Sequence, residues 1–241
     1  MPLPRPKQFS VKDAACSYLP LMHELASRLD LIGRFCKRDY DIPFPYAREF
    51  IYLQLRQVCE LIALGCLQLH GDLPIASSKT SKAEWNAGKI MHLLSRHHSH
   101  CFPMCVKTNA GPDGLSITAN HNPDALTFDE YNSLYHECGK FLHRGSIRAM
   151  QAASPLNESD LENLVRWHRK IIALLNEHMV GRASHISFYL ISLRTEAGFP
   201  QCSVLTKSTD NGMAVEQYTM SITESGYEEI ILAGNMKFVS P

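Results

Sequence analysis

Apolar residues recur every three to four positions along the first three quarters of the chain, and in the last quarter they alternate with polar ones. The first period belongs to helices with one buried face, the second to half-buried strands. The pattern predicts a helix over 11–38, with a break possible near Pro20, and a second over 47–70. The second carries Phe50, Ile51, Leu53, Leu55, Val58, Leu61, Ile62, Leu64 and Leu67 on nearly every face. A helix apolar all round is normally a central one. Ser81 with Glu84, Thr127 with Glu130 and Ser159 with Glu162 each fit a capping box, in which hydroxyl and carboxylate satisfy each other's backbone N–H. They predict helices near 81–98, 128–143 and 160–180. The stretch 99–126 reads as a long loop, with "AGPDG" and "NHNPD" as turns.

After Gly181 the alternation takes over. "SHISFYLISL" at 184–193, "QCSVLTK", "MAVEQYTMSI" and "EEIILA" read as four strands, the middle two joined by a hairpin turn at Asp210-Asn211-Gly212. The expected fold is α+β: a helical bundle followed by a small C-terminal antiparallel sheet. The expected division is an N-terminal arm and helix at 1–43, a bundle at 44–183 and a β unit at 184–241. Three prolines in the first ten residues make the start an extended arm.

Composition narrows the class. With 45% hydrophobic and 20% charged residues the chain has the make-up of a soluble globular protein. Its 24 basic and 24 acidic residues cancel, so no global field selects a polyanion. Local fields differ: five Lys or Arg stand against Glu84 in 76–107, and five acids against Lys237 in 209–241. The start has no apolar signal core, and the longest apolar run, "LIALGCL", is too short to span a bilayer. Eight scattered cysteines read as reduced thiols. Together these imply a cytoplasmic protein with no membrane partner.

Three groups of residues offer chemistry. Arg56 and Glu60 lie one helical turn apart on an apolar helix, where a charge must be paired or form a site. They read either as an ion pair that fixes packing or as a phosphate-binding arginine steadied by glutamate. On the 128–143 helix, Tyr131, Leu134, Tyr135, Cys138, Phe141 and Leu142 form an apolar stripe, while His136, Lys140 and His143 form a polar one. A histidine beside a lysine suits a general base next to a phosphate-binding cation. A helix end with His143 and Arg144 before Gly145 explains the same residues without chemistry. Third, "SRHHSHCFPMC" offers His98, His100, Cys101 and Cys105 as candidate zinc ligands, against a histidine-rich helix end followed by a turn. His168 and His178 read as hydrogen-bonded core histidines, and Trp85 and Trp167 as packing anchors. No Gly-rich phosphate loop, HExxH or GxSxG is present, and no cofactor is implied.

"LQLRQVCELIAL", followed about 80 residues later by "CGKFLH", resembles uncharacterised bacterial helical proteins of the HEPN-like class (higher eukaryote and prokaryote nucleotide-binding). "AEWNAGKIMHLL" and "LTFDEYNSLYHECGKFLH" also look like segments of such proteins, and the resemblance covers about 44–180. It implies a helical bundle that forms homo-oligomers. It implies a role in toxin–antitoxin or antiviral systems, with RNA, a nucleotide or a partner protein as ligand. Arg56, Glu60 and His143 would form the core of a metal-independent ribonuclease site, with Lys140 nearby. Active members carry arginine four to six residues before the histidine. Here that window holds Glu137, Cys138 and Gly139. The expectation is therefore a binding or regulatory module, with RNA cleavage and a zinc-stabilised interaction protein as alternatives.

Overall fold

The computed structural model describes residues 9–39, 41–111, 114–120, 122–142, 158–182, 187–207, 213–222 and 228–238. Six helices and seven strands are placed among them. They run α1 (Val11–Cys36), α2 (Phe44–Leu69), α3 (Lys79–Ala83), α4 (Ala87–Ser95), β1 (Met104–Gly111), β2 (Gly114–Ala119), α5 (Phe128–Leu142), α6 (Glu158–Leu175), β3 (Glu177–Gly181), β4 (Ser187–Ser192), β5 (Gln201–Lys207), β6 (Met213–Ile222) and β7 (Glu228–Phe238). The fold is α+β, with helices packed beside an antiparallel sheet. Helix and strand segments interleave, since β1 and β2 precede α5 and α6.

The helix starts follow from local chemistry. Ser10 Oγ accepts the Asp13 N–H at 3.2 Å to cap α1. The α2 start has Pro43 at the cap and a further proline in the first turn, where the missing N–H costs nothing. Thr127 and Glu130 form the predicted reciprocal box, with Thr127 N–H donating to Glu130 at 3.0 Å and Glu130 N–H to Thr127 Oγ1 at 3.3 Å. Thr127 is one of three such signals, and the other two fare differently. Ser78, not Ser81, caps α3, and the Ser81 hydroxyl donates instead to Ile75 O. Asn86 Oδ1 then accepts Lys89 N–H and starts a separate helix, so the expected 81–98 helix breaks in two. The box at Ser159 falls on a side chain outside those described.

α2 is the hub. Ile51, Tyr52, Leu55, Val58, Cys59, Ile62 and Cys66 are all buried, and α1, α4, α5 and α6 pack around it. Each such aliphatic side chain removed from water contributes about 1.5–3 kcal/mol. By length and composition α2 also passes as a membrane-crossing helix, contrary to the reading of its short apolar run. Here most of it lies inside the core. Gly65 marks its closest approach to α1, since a Cβ there would sit 2.5 Å from the Tyr18 ring.

The seven strands form one sheet in the order β2-β1-β3-β4-β5-β6-β7, every neighbour antiparallel. The expected loop at 99–126 contains the β1–β2 hairpin, with Val106 opposite Ala119 and Gly111 opposite Gly114. Its alternation was legible, but "GPDG" was read as a loop turn. The 160–180 helix stops at Leu175, and "EHMVG" pairs with both β1 and β4. The boundary expected at 183/184 thus falls inside the β3–β4 hairpin. One sheet face, with Tyr189, Ile191, Cys202, Val204, Tyr218 and Met220, joins the helical core. The other gathers Val106, Leu190, Leu205 and Val215 into a smaller cluster. The two edge strands, β2 and β7, approach each other, so the sheet is strongly curled. Trp167 is buried as expected, but Trp85 is 68% exposed and anchors no packing.

His178 ties the sheet to the helices. Its Nδ1–H donates to Leu175 O at 2.9 Å, and Tyr18 O–H donates to Nε2 at 2.9 Å, a set that only the neutral ring satisfies. Burial pushes its pKa from 6.5 down to about 4. The same cause lowers His70 and His168. Between those two pH values the unfolded chain takes up a proton at His178 that the folded chain refuses. Stability therefore falls as pH drops from 6.5 to about 4, on the order of 3 kcal/mol from this residue. Urea midpoints measured across that window should decline with acid, and His178→Gln should flatten the slope.

Candidate functional site

α5 crosses α2 so that its inner stripe, Tyr131, Leu134, Tyr135 and Cys138, is buried. Tyr131 O–H donates to Cys59 O at 2.8 Å, which fixes the rotation of α5 about its own axis. That rotation decides what meets Arg56. The guanidinium Nε donates to Glu60 Oε1 at 3.1 Å, and Nη2 donates to the Tyr135 hydroxyl at 3.1 Å. Its carbon lies 4.8 Å from the Tyr135 ring centre. Gly139, one turn further along α5, lies against the guanidinium: a Cβ there would make ordinary contact with Arg56 Nη1 at 3.7 Å. Burial raises the Tyr135 phenol, with Arg56 opposing, so it stays protonated at neutral pH.

These groups form one wall of a cavity of about 560 Å³ between α2, α4 and α5. α4 supplies Asn86, Gly88, Lys89 and His92, and α5 supplies Asn132, Tyr135 and His136. Among the described residues no carboxylate lines it. Glu60 stands behind Arg56, and Glu84 stands 3.8 Å from Lys89. Gly88 and Lys89 belong to the first turn of α4, whose dipole presents positive potential, while the Lys89 and Ala87 N–H groups are taken by Asn86 and Tyr135. The chemistry on offer is the remaining N–H groups of a fixed guanidinium, a flexible ammonium, two imidazoles and the dipole of a helix N-terminus. That set fits an oxyanion.

The structure brings Arg56 and Glu60 together as a partly exposed ion pair, 22% and 27% accessible, which is neither a dry core pair nor a free surface pair. Lys140 is exposed and lies outside the cavity lining. His143 lies outside the described residues, as do Arg144 and Gly145. His136 comes from the predicted polar stripe, whereas Lys89 and His92 were not foreseen as site residues. Their spacing of three puts both on one face of α4, a signal too short to stand out.

Glu137, named in the sequence only as one of the residues before His143, has a structural role that the sequence does not assign. Its carboxylate accepts from Tyr52 O–H at 2.7 Å, Asn163 Nδ2 at 2.6 Å and Trp167 Nε1 at 3.2 Å. It thereby joins α2, α5 and α6 on the side of α5 away from the cavity. Burial and the Glu137 hydrogen bond both raise the Tyr52 phenol. Arg48 pairs with Asp160 at 3.1 Å and sits 4.9 Å from the Phe141 ring centre, while Phe141 stacks on Tyr52 at 4.0 Å. Glu137 thus holds three helices of the bundle together.

The four candidate zinc ligands do not converge. His98 Nε2 lies 3.0 Å from Gly181 O, and a ring nitrogen that donates to a carbonyl has no lone pair for a metal. Cys105 Sγ donates to Ala173 O at 3.1 Å. Burial raises the Cys101 thiol to about 11 and raises that of Cys105. Among the described residues no group of three or more His, Cys, Asp or Glu is placed to hold a metal ion.

Comparison with protein-family models, with curated proteins and with solved structures finds no match for this chain. The fold and the cavity therefore stand on their own geometry.

Removing the Glu137 carboxylate leaves three donors without their acceptor. Glu137→Ala should lower stability by about 2–3 kcal/mol in urea denaturation, and Glu137→Gln by less. Equal stability of Glu137→Ala and the parent would show that these contacts contribute nothing.

Proposed function

We propose that this chain is a HEPN-like module that binds a phosphate-bearing ligand, a nucleotide or an RNA segment, in the cavity between α2, α4 and α5. The observation that carries the reading is the placement of Arg56. Its guanidinium is oriented by Glu60 and Tyr135 and still borders an open cavity beside Lys89 and the α4 N-terminus. Preorientation also spares the side-chain entropy that a free arginine loses on binding.

The role proposed is binding or regulation in a cytosolic setting linked to nucleic acid or defence. RNA cleavage is the weaker reading, because Glu137 serves the bundle and Lys140 stands away from the cavity. Fluorescence anisotropy with labelled RNA of mixed structure checks both. Binding should weaken as salt rises, by a logarithmic slope of about −0.7 per neutralised phosphate on single strands. Arg56→Ala and Lys89→Ala should each weaken it about tenfold with the fold intact, the loss expected for a charged hydrogen bond. Binding that ignores both substitutions would overturn the assignment. RNA cleavage in EDTA that disappears in His143→Ala would convert it to a ribonuclease.

A further inference from the structure

A tyrosine hydroxyl has one proton to donate and two lone pairs that accept. At Tyr135 both lone pairs are taken. Arg56 Nη2–H donates to the hydroxyl from α2 at 3.1 Å, and the Ala87 N–H donates to it from the start of α4. Its own O–H finds no acceptor among the described residues. Tyr135 is only 6% exposed, so bulk water does little to replace one. Burial keeps the phenol protonated, with Arg56 opposing, so the group stays a donor at neutral pH. A buried donor without an acceptor is costly, and native proteins keep few of them.

Tyr135 itself lines the cavity, and so do the residues around it. Gly88 of α4 lies against its ring, where a Cβ would come 3.8 Å from Cδ1 and Cε1. Arg56 also has hydrogens to spare. Its Nε–H goes to Glu60 and one Nη2 hydrogen to Tyr135, which leaves Nη1 beside Gly139. Lys89 adds an ammonium on the same lining, held only loosely by Glu84 at 3.8 Å. Three side chains from three helices thus each offer a donor. A terminal phosphate monoester has three strong acceptor oxygens, one for each. A phosphodiester inside a strand has only two unbridged oxygens, and its chain must leave on both sides. That suits poorly a donor as enclosed as Tyr135, which a strand end or a free nucleotide can approach end-on.

Resting on the phosphate-binding reading above, we infer that Tyr135 donates its O–H to the bound oxyanion, and that this oxyanion is a terminal phosphate monoester rather than a phosphodiester within a strand. The shared chemistry is a monoester phosphate on a nucleotide, which a free nucleotide or a phosphorylated strand end equally provides. Arg56 and Lys89 supply charge to any phosphate, and Tyr135 adds the third donor that only the monoester uses in full.

The test uses the full chain with four probes: AMP, and single-stranded oligo(A) bearing a 5′-phosphate, a 3′-phosphate, or hydroxyls at both ends. Calorimetry gives the affinities. At least one phosphorylated strand should bind about tenfold or more tighter than the hydroxyl-ended one, the range expected of an added charged hydrogen bond. AMP that matches that strand names the free nucleotide as sufficient, and AMP that falls short names the strand end; both support the inference. Tyr135→Phe should remove most of the preference. A second substitution separates donation to the ligand from acceptance of Arg56: 3-fluorotyrosine at position 135 keeps the oxygen but is a stronger donor and a weaker acceptor. It should tighten binding of the phosphorylated strand, and its fluorine resonance should shift on saturation. Weaker binding with 3-fluorotyrosine, or a preference that survives Tyr135→Phe, would overturn the role of Tyr135. Equal binding of all three strands, each weakened by Arg56→Ala, would overturn the monoester assignment while leaving phosphate binding in place. No binding of any probe would overturn both readings.

Discussion

Everything in the helical half depends on α2 being surrounded. A helix that is apolar on nearly every face must be enclosed, and enclosure dictates that its few polar groups meet partners on other elements rather than water. Tyr52, Arg56 and Glu60 lie on one stripe of α2, and α5 is the helix laid across that stripe. Two faces of α5 then do opposite things. Glu137 draws Tyr52, Asn163 and Trp167 into a closed network toward α6. Tyr135, on the adjoining face, holds Arg56 at an opening. The enclosure of the bundle and the existence of a cavity are consequences of one crossing.

A buried imidazole is one of several ties between the sheet and this arrangement, alongside the His70 contact to Gly181 O and the Arg182–Asp72 pair. His178 links the end of α6, the start of β3 and Tyr18 of α1. Gly65 of α2 permits the close approach that puts Tyr18 there. Three helices and a strand therefore share one small contact region, with the tautomer set by its neighbours. The β1–β2 hairpin is added at the far side of β3 through only a short pairing, Met104 with Met179 and Cys105 with His178. Glu177 strengthens that short junction by accepting from both the backbone N–H and the hydroxyl of Thr108.

Long periodic segments were legible in the sequence. The apolar periods of α1, α2 and α5 and the alternation of β4, β5 and β6 each persist long enough to declare their type. Short ones were not. Asn86 outcompetes Ser81 as a helix start, and neither residue announces this, because both are good caps. "EHMVG" continues the helical stripe of α6 for two residues, and only pairing with β1 and β4 makes it a strand. At the site, Arg56 and Glu60 stood out because charge on an apolar helix is conspicuous. Lys89, His92 and Glu137 did not, because on amphipathic helices polar residues are ordinary, and only the crossing of helices assigns one to a cavity and another to a network.

The charges around the cavity are balanced in a way that selects among anions. Arg56 and Lys89 face it, but Glu60 and Glu84 stand close behind them and offset most of their field at a distance. What survives is short-range: the remaining N–H groups of Arg56, the Lys89 ammonium and a local helix dipole that acts within the first turn. Such a site gains little from a highly charged polyphosphate, whose attraction is largely long-range. It gains most from one oxyanion placed within hydrogen-bond distance, where geometry rather than net charge sets the energy. A single phosphate in that position leaves the rest of the ligand to be chosen by other contacts.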